Sequence, residues 1–89
     1  MKDRYLEITF RKGKVIAAYL YLPRDKDERS HRTEKAGEGI LIDYGETGRP
    51  IGIEITAPKQ IRLEAINRIL ARLNIRPLQE EEFAPLLAV

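Results

Sequence analysis

The sequence predicts an α+β fold: an antiparallel meander of about four strands, then a packed C-terminal helix and a short terminal helical turn. Three features carry that reading. Between Gly39 and Ile55, two alternating apolar runs flank a polar, glycine-bounded turn, the pattern of a β-hairpin. Upstream, Tyr5 to Phe10 and Val15 to Leu22 alternate as well. Downstream, Leu63, Ile66, Ile69, Leu70 and Leu73 recur at steps of three and four, which marks an amphipathic helix.

In the first run, Leu6, Ile8 and Phe10 face one way and Tyr5, Glu7 and Thr9 the other. After Arg11-Lys12-Gly13, the second run sets Ile16, Ala18, Leu20 and Leu22 on one face, with Tyr19 and Tyr21 opposite. A three-residue turn with Gly13 left-handed would place Ile8 against Ile16 and Leu6 against Ala18. A two-residue turn on Lys12-Gly13 would place Ile8 across from Ala17. The first is preferred, because a one-residue slip turns over a whole strand face.

Pro23 ends the second run, since proline offers no N–H to a ladder. Arg24 to Ser30 holds no apolar residue and reads as an exposed loop. His31 to Ala36 reads as a short polar edge strand, its charges discouraging stray pairing. In the central hairpin, pairing Tyr44 with Arg49 would set Ile42 against Ile51 and Ile40 against Ile53. Gly52 then lies across from Leu41, and Leu41, Asp43, Gly52 and Glu54 share the opposite face. Isoleucine suits a pleated, half-buried surface.

Pro58 turns the chain out of the sheet, and Asn74 and Pro77 stop the helix. Glu64 and Arg68, four apart, support it. Acids at Glu80, Glu81 and Glu82 suit the positive start of a last helical turn, whose Phe83, Leu86 and Leu87 pack back onto the body or onto a neighbour. The expected organisation is one domain over residues 1–89, with the sheet in 1–56, the helix in 57–76 and a tail in 77–89.

The totals limit the chemistry. Eighty-nine residues make one domain with a modest core. No cysteine is present, so disulfides, thiolate metal sites and thiol nucleophiles are excluded, and a single His31 excludes a multi-histidine site. Charged residues are 34% of the chain, yet the formal net charge is only +2, which reads as a solvated surface of mixed sign. No apolar run reaches the roughly 18 residues a membrane helix needs. The N-terminus lacks the apolar segment of a signal peptide, so the cytoplasm is the expected compartment.

Several segments carry a resemblance: Ala18-Tyr19-Leu20-Tyr21-Leu22, Thr33-Glu34, Gly39-Ile40-Leu41-Ile42-Asp43-Tyr44 and Gly48-Arg49-Pro50-Ile51-Gly52-Ile53-Glu54-Ile55. Together they resemble the small prokaryotic domain-of-unknown-function family 2283. Its members are similar in reading as an "ALY-x-RL" strand, a "TEE"-like stretch, a "GVIVDYD" strand and a "G-x-x-VGIEIL" strand. Asp43-Tyr44 and Gly52-Ile53-Glu54-Ile55 are the most specific pieces. The C-terminal part, from Leu63 to Ala88, is similar to the tails of longer members. Ala18 and Tyr21 stand where the family has Leu and Arg, so an arginine surface at Tyr21 is not implied. The family has no assigned activity, and the resemblance implies a fold rather than a chemistry.

Candidate chemistry is sparse. Asp43 and Glu54 share one sheet face and could hold a cation or do acid–base work, although exposed carboxylates are the norm on an open sheet. His31 is a lone imidazole in a polar loop. Gly45-Glu46-Thr47-Gly48 lacks the Lys-Ser/Thr ending of a phosphate loop and is explained by turn geometry. Arg68, Arg72 and Arg76, with Arg62 before them, form a basic stripe that could meet nucleic-acid phosphates, or merely face solvent. No catalytic residue, cofactor or metal is assigned. With one helix covering one side, Tyr19, Tyr21, Leu41, Asp43 and Glu54 remain as a candidate interaction surface. The expected function is a non-enzymatic protein–protein interaction module, a homodimer or a small regulatory or antitoxin-like component. The alternatives are a weak nucleic-acid binder through Arg68, Arg72 and Arg76, or a carboxylate site at Asp43 and Glu54.

Overall fold

The computed structural model describes residues 4–25 and 27–87. Met1 to Asp3, Lys26 of the polar loop, and Ala88 and Val89 of the tail lie outside the described residues. The strands are β1 (Tyr5–Arg11), β2 (Lys14–Tyr21), β3 (Arg32–Gly37), β4 (Ile40–Tyr44) and β5 (Pro50–Ile55), followed by the helices α1 (Leu63–Arg72) and α2 (Glu80–Leu87). All strand pairs are antiparallel, and the sheet has the order β1-β2-β5-β4-β3. The class is α+β, as the sequence implies.

The sheet has five strands rather than about four, and it is not a continuous meander. After β2 the chain crosses to the far edge, and β5 returns between β2 and β4. Strands β2 to β5 thus form a Greek key. Burial explains the order. In β5, Ile51, Gly52, Ile53 and Ile55 are all buried, whereas Arg32 to Lys35 of β3 are exposed. The strand with most to hide takes the centre, and the polar strand takes an edge.

Both hairpin registers differ from expectation. Lys12 and Gly13 have φ of 52° and 78°, and Arg11 pairs with Lys14. This is a two-residue turn of the primed kind, whose twist matches the strands. The register then shifts: Phe10 faces Val15, but Thr9 faces Ala17. Ile16 is the extra residue of a β-bulge, and beyond it Ile8 meets Ala18 and Leu6 meets Leu20. The bulge returns the apolar sets to one face and leaves Ile16 46% exposed, outside the apolar face assigned to it.

In the central hairpin Ile42 pairs with Ile53, Ile40 with Ile55, and Asp43 with Gly52. This is two residues from the expected register, so the faces survive but the partners change. The cause is a wider loop, closed by the Gly45 N–H donating to the Arg49 carbonyl at 2.8 Å, with a further shift between Asp43 and Tyr44.

Helix α1 starts at Leu63, later than the expected 57, because Ala57 to Gln60 form a turn closed by the Gln60 N–H and the Ala57 carbonyl. It ends where the sequence suggests. Asn74 has φ of 58°, the Ile75 N–H reaches the Leu70 carbonyl and the Asn74 N–H reaches the Ala71 carbonyl. That is a Schellman cap, with asparagine taking the left-handed position. At the start of α2, the Glu82 side chain accepts from the Gln79 N–H at 3.0 Å, while the Gln79 carbonyl accepts from the Glu82 and Phe83 N–H groups. This half of a capping box anchors the acidic first turn.

The core lies between the sheet and the helices. Ile40, Ile42, Ile53 and Ile55 join Ala18, Leu20 and Leu22 beneath Ile66, Ile69 and Leu70 of α1. Leu78, Phe83 and Leu86 complete it, while Leu87 is exposed. Arg4, its side chain only 5% exposed, ties α2 to the sheet. It donates to both Glu82 carboxylate oxygens and to the Pro77 and Arg76 carbonyls.

Candidate interaction surface

Both helices contribute to the core on one side of the sheet. The residues of opposite parity therefore form a face with no element of the described chain over it. The pairings align them in two rows that cross all five strands. One row is Tyr5, Tyr21, Gly52, Asp43 and Thr33; the next is Glu7, Tyr19, Glu54, Leu41 and Lys35. Alternation put Tyr19, Tyr21, Leu41, Asp43 and Glu54 here, and the structure does bring them onto one surface. Asp43 and Glu54 sit in successive rows, with Gly52 across from Asp43 and Leu41 across from Glu54.

The rows are knitted by side chains. The Tyr19 ring lies over Gly52, and a β-carbon there would fall inside the ring. This clearance lets the Tyr19 hydroxyl donate to Asp43 Oδ2 at 2.6 Å, across the intervening β5. The Thr33 hydroxyl donates to Asp43 Oδ1 at 2.5 Å, so each oxygen of the carboxylate has a donor. Tyr5 and Tyr21 stack at 4.5 Å between ring centroids, and Tyr19 tilts against Tyr21 at 4.6 Å. The Tyr21 hydroxyl donates to Glu7 at 3.2 Å. Arg24 lies 5.3 Å over the Tyr21 ring and donates to the Ile51 carbonyl at 2.6 Å.

This environment holds the Tyr19 proton. Burial first, then the hydrogen bond to Asp43, pushes Tyr19 up to about 12, against an opposing pull from Arg24. Tyr21 is also raised, by partial desolvation and by Glu7. A phenol so held stays protonated at neutral pH and offers no phenolate, and Asp43 is occupied by two hydroxyls. Among the described residues, no group of three His, Asp or Glu is placed to hold a metal ion.

The other sequence candidates fall elsewhere. Arg68 and Arg72 are exposed on α1, and Arg72 reaches the Ala36 carbonyl of β3 at 3.3 Å. With Arg62 they rim a groove floored by Ile40, Ile61 and Ile69. Arg76 leaves this line: it follows the left-handed Asn74, and its guanidinium lies 3.9 Å from Glu82. His31 is exposed, its N–H bound to the Tyr44 carbonyl. Gly45 to Gly48 form the turn expected of them, with Glu28 packed against Gly45.

Sequence reading missed Tyr5, Thr33 and Arg24 as members of this surface, and it placed Gly52 on the face without the Tyr19 ring above it. For Gly52 a signal existed: a lone glycine in an otherwise β-branched strand marks a close approach.

Residues 17–57 match the family model described as Protein of unknown function (DUF2283). The DUF2283 segment contains β2 from Ala17 onward and the whole of β3, β4 and β5, so it reaches all four strands of the Greek key. It also holds Tyr19, Tyr21, Thr33, Leu41, Asp43, Gly52 and Glu54. The resemblance drawn from the sequence is borne out over this segment; β1, α1 and α2 lie outside the DUF2283 match. No curated protein and no solved structure matches the chain. Among the described residues, no helix is long and apolar enough to cross a membrane.

Proposed function

We propose that this protein is a cytoplasmic, non-enzymatic interaction module whose contact surface is the open sheet face. One observation carries the reading: Tyr5, Tyr19, Tyr21 and Leu41 lie together on a face that the chain's own helices leave uncovered. Tyrosine combines a large apolar ring with a polar tip, which suits it to interfaces. The polar groups on this face satisfy one another instead of converging on a space where a substrate atom could sit. A small regulatory or antitoxin-like role fits such a module.

The test is substitution on that face alone. Tyr21→Ser combined with Leu41→Ser removes apolar contact without touching the helix-side core. The expected result is loss of association by light scattering and by crosslinking, with the circular dichroism spectrum unchanged. Undiminished association of the folded double variant would refute the reading.

A further inference from the structure

We infer that the occupant of this face is a second copy of the same chain, the two sheets packing face to face about a two-fold axis that runs along β5. This rests on the reading of the face as a contact surface. The argument comes from strand order and charge. β5 is the central strand, with β2 and β1 on one side and β4 and β3 on the other. At about 4.8 Å per strand, β1 and β3 therefore lie at equal distances, about 10 Å, on either side of it. A two-fold axis along β5 sets β1 of one copy against β3 of the other, and β2 against β4.

The rows then meet in register. Glu7 on β1 and Lys35 on β3 belong to the same row, so each Glu7 faces a Lys35 and the symmetry makes two such pairs. In the same arrangement Tyr19 meets Leu41, Tyr21 meets Asp43 and Tyr5 meets Thr33. Aromatic rings thus face the groups on the side of the sheet that lacks them. Glu7 and Lys35 are exposed and weakly engaged within the chain, by Tyr21 at 3.2 Å and by Glu38 at 3.9 Å. At the sheet edges they stay in reach of water, so pairing them costs little desolvation. An axis across the strands would instead set β1 against β1 and leave both charges without an opposite. The face is roughly 20 Å by 20 Å in projection, the small end of specific interfaces, and the dimer is accordingly weak. Glu54, on β5, faces its own copy across the axis, a like-charge contact that holds the affinity down.

The experiment is a charge swap read by sedimentation equilibrium on the full chain. Wild type is expected to dimerise at micromolar concentration. Glu7→Lys alone and Lys35→Glu alone each place like charges opposite one another twice, and each should weaken the dimer about tenfold or more. An equimolar mixture of the two single variants restores both pairs in a heterodimer, so affinity should return to near wild type. Glu54→Gln should tighten the dimer several-fold. Glu7→Gln and Lys35→Gln, which add no repulsion, serve as milder variants should a reversal disturb folding; they should weaken the dimer less. A wild type that stays monomeric, or a mixture no tighter than its components, overturns the inference. A dimer that persists in the Tyr21→Ser, Leu41→Ser variant overturns the contact-surface reading itself. A dimer lost in that variant but indifferent to the charge swap overturns only the arrangement about β5.

Discussion

Replacing Gly52 by alanine should destabilise the protein through a side chain on the neighbouring strand. The Tyr19 ring occupies the space above Gly52, so an added β-carbon forces the ring away. Displacing it breaks the bond from the Tyr19 hydroxyl to Asp43, which is 2.6 Å long. A hydrogen bond to a carboxylate contributes about 1.5–3 kcal/mol, and partial exposure brings that to about 1–2. Overpacking adds about 1–3 kcal/mol. Against these, alanine is favoured over glycine in a strand by about 0.5–1 kcal/mol. The net expected cost is about 2–3 kcal/mol. With a urea dependence near 1 kcal/mol per molar for a small domain, the unfolding midpoint falls by about 2–3 M. A second background makes the reasoning exposed to failure. In Tyr19→Ala there is no ring to displace, so Gly52→Ala should become neutral or mildly stabilising, a coupling of about 3 kcal/mol. A neutral Gly52→Ala in the presence of Tyr19, or an equal cost with and without the ring, would refute the account.

Three further outcomes follow from the same geometry. Tyr19 is raised from 10.0 to about 12, so its protonated form is favoured by folding; stability is intact below pH 10 and declines as pH rises towards 12. Tyr19→Phe should flatten that alkaline decline in urea melts collected across the window. Glu82 is lowered from 4.5 to about 2, chiefly by the hydrogen bond from Arg4, so its contribution is present above pH 4.5 and lost as pH falls through 2. Glu82→Gln should remove that acid-dependent slope, measured as the thermal midpoint against pH. Asn67 donates to the Leu78 carbonyl at 3.2 Å and accepts from the Leu78 N–H at 2.7 Å, clasping the tail to α1. Asn67→Ala should cost about 1–3 kcal/mol and speed hydrogen exchange at the Leu78 amide.

What could be read in advance was what depends on near neighbours in the chain. The alternation of Ile40 to Asp43 and the spacing of Ile66, Ile69 and Leu70 fix which residues turn inward. That of Tyr5 to Phe10 does so for Leu6 and Ile8, which pack on the core, but not for Phe10, which lies next to the turn and is 53% exposed. Asn74 announced its own left-handed cap. Strand order and register depend on distant pairings. The bulge at Ile16 and the shift beside Asp43 each add a residue that periodicity cannot see, and β5 reaches β2 only by crossing the chain. The candidate surface divides in the same way. Tyr19, Tyr21, Leu41, Asp43 and Glu54 were legible as one face. The reach of Tyr19 over Gly52 to Asp43, and the alignment of Glu7 with Lys35, exist only once the register is known.

The late arrival of the middle strand has a consequence for biosynthesis. A nascent chain stopped short of Pro50 would hold two separate ribbons, β1 with β2 and β3 with β4, and nothing to bridge them. Emergence of a six-residue segment joins them into one sheet, and only then is there a floor for the helices that follow. Assembly on the ribosome is therefore expected to come in one late step, with the isoleucines of both halves open to chaperones until then.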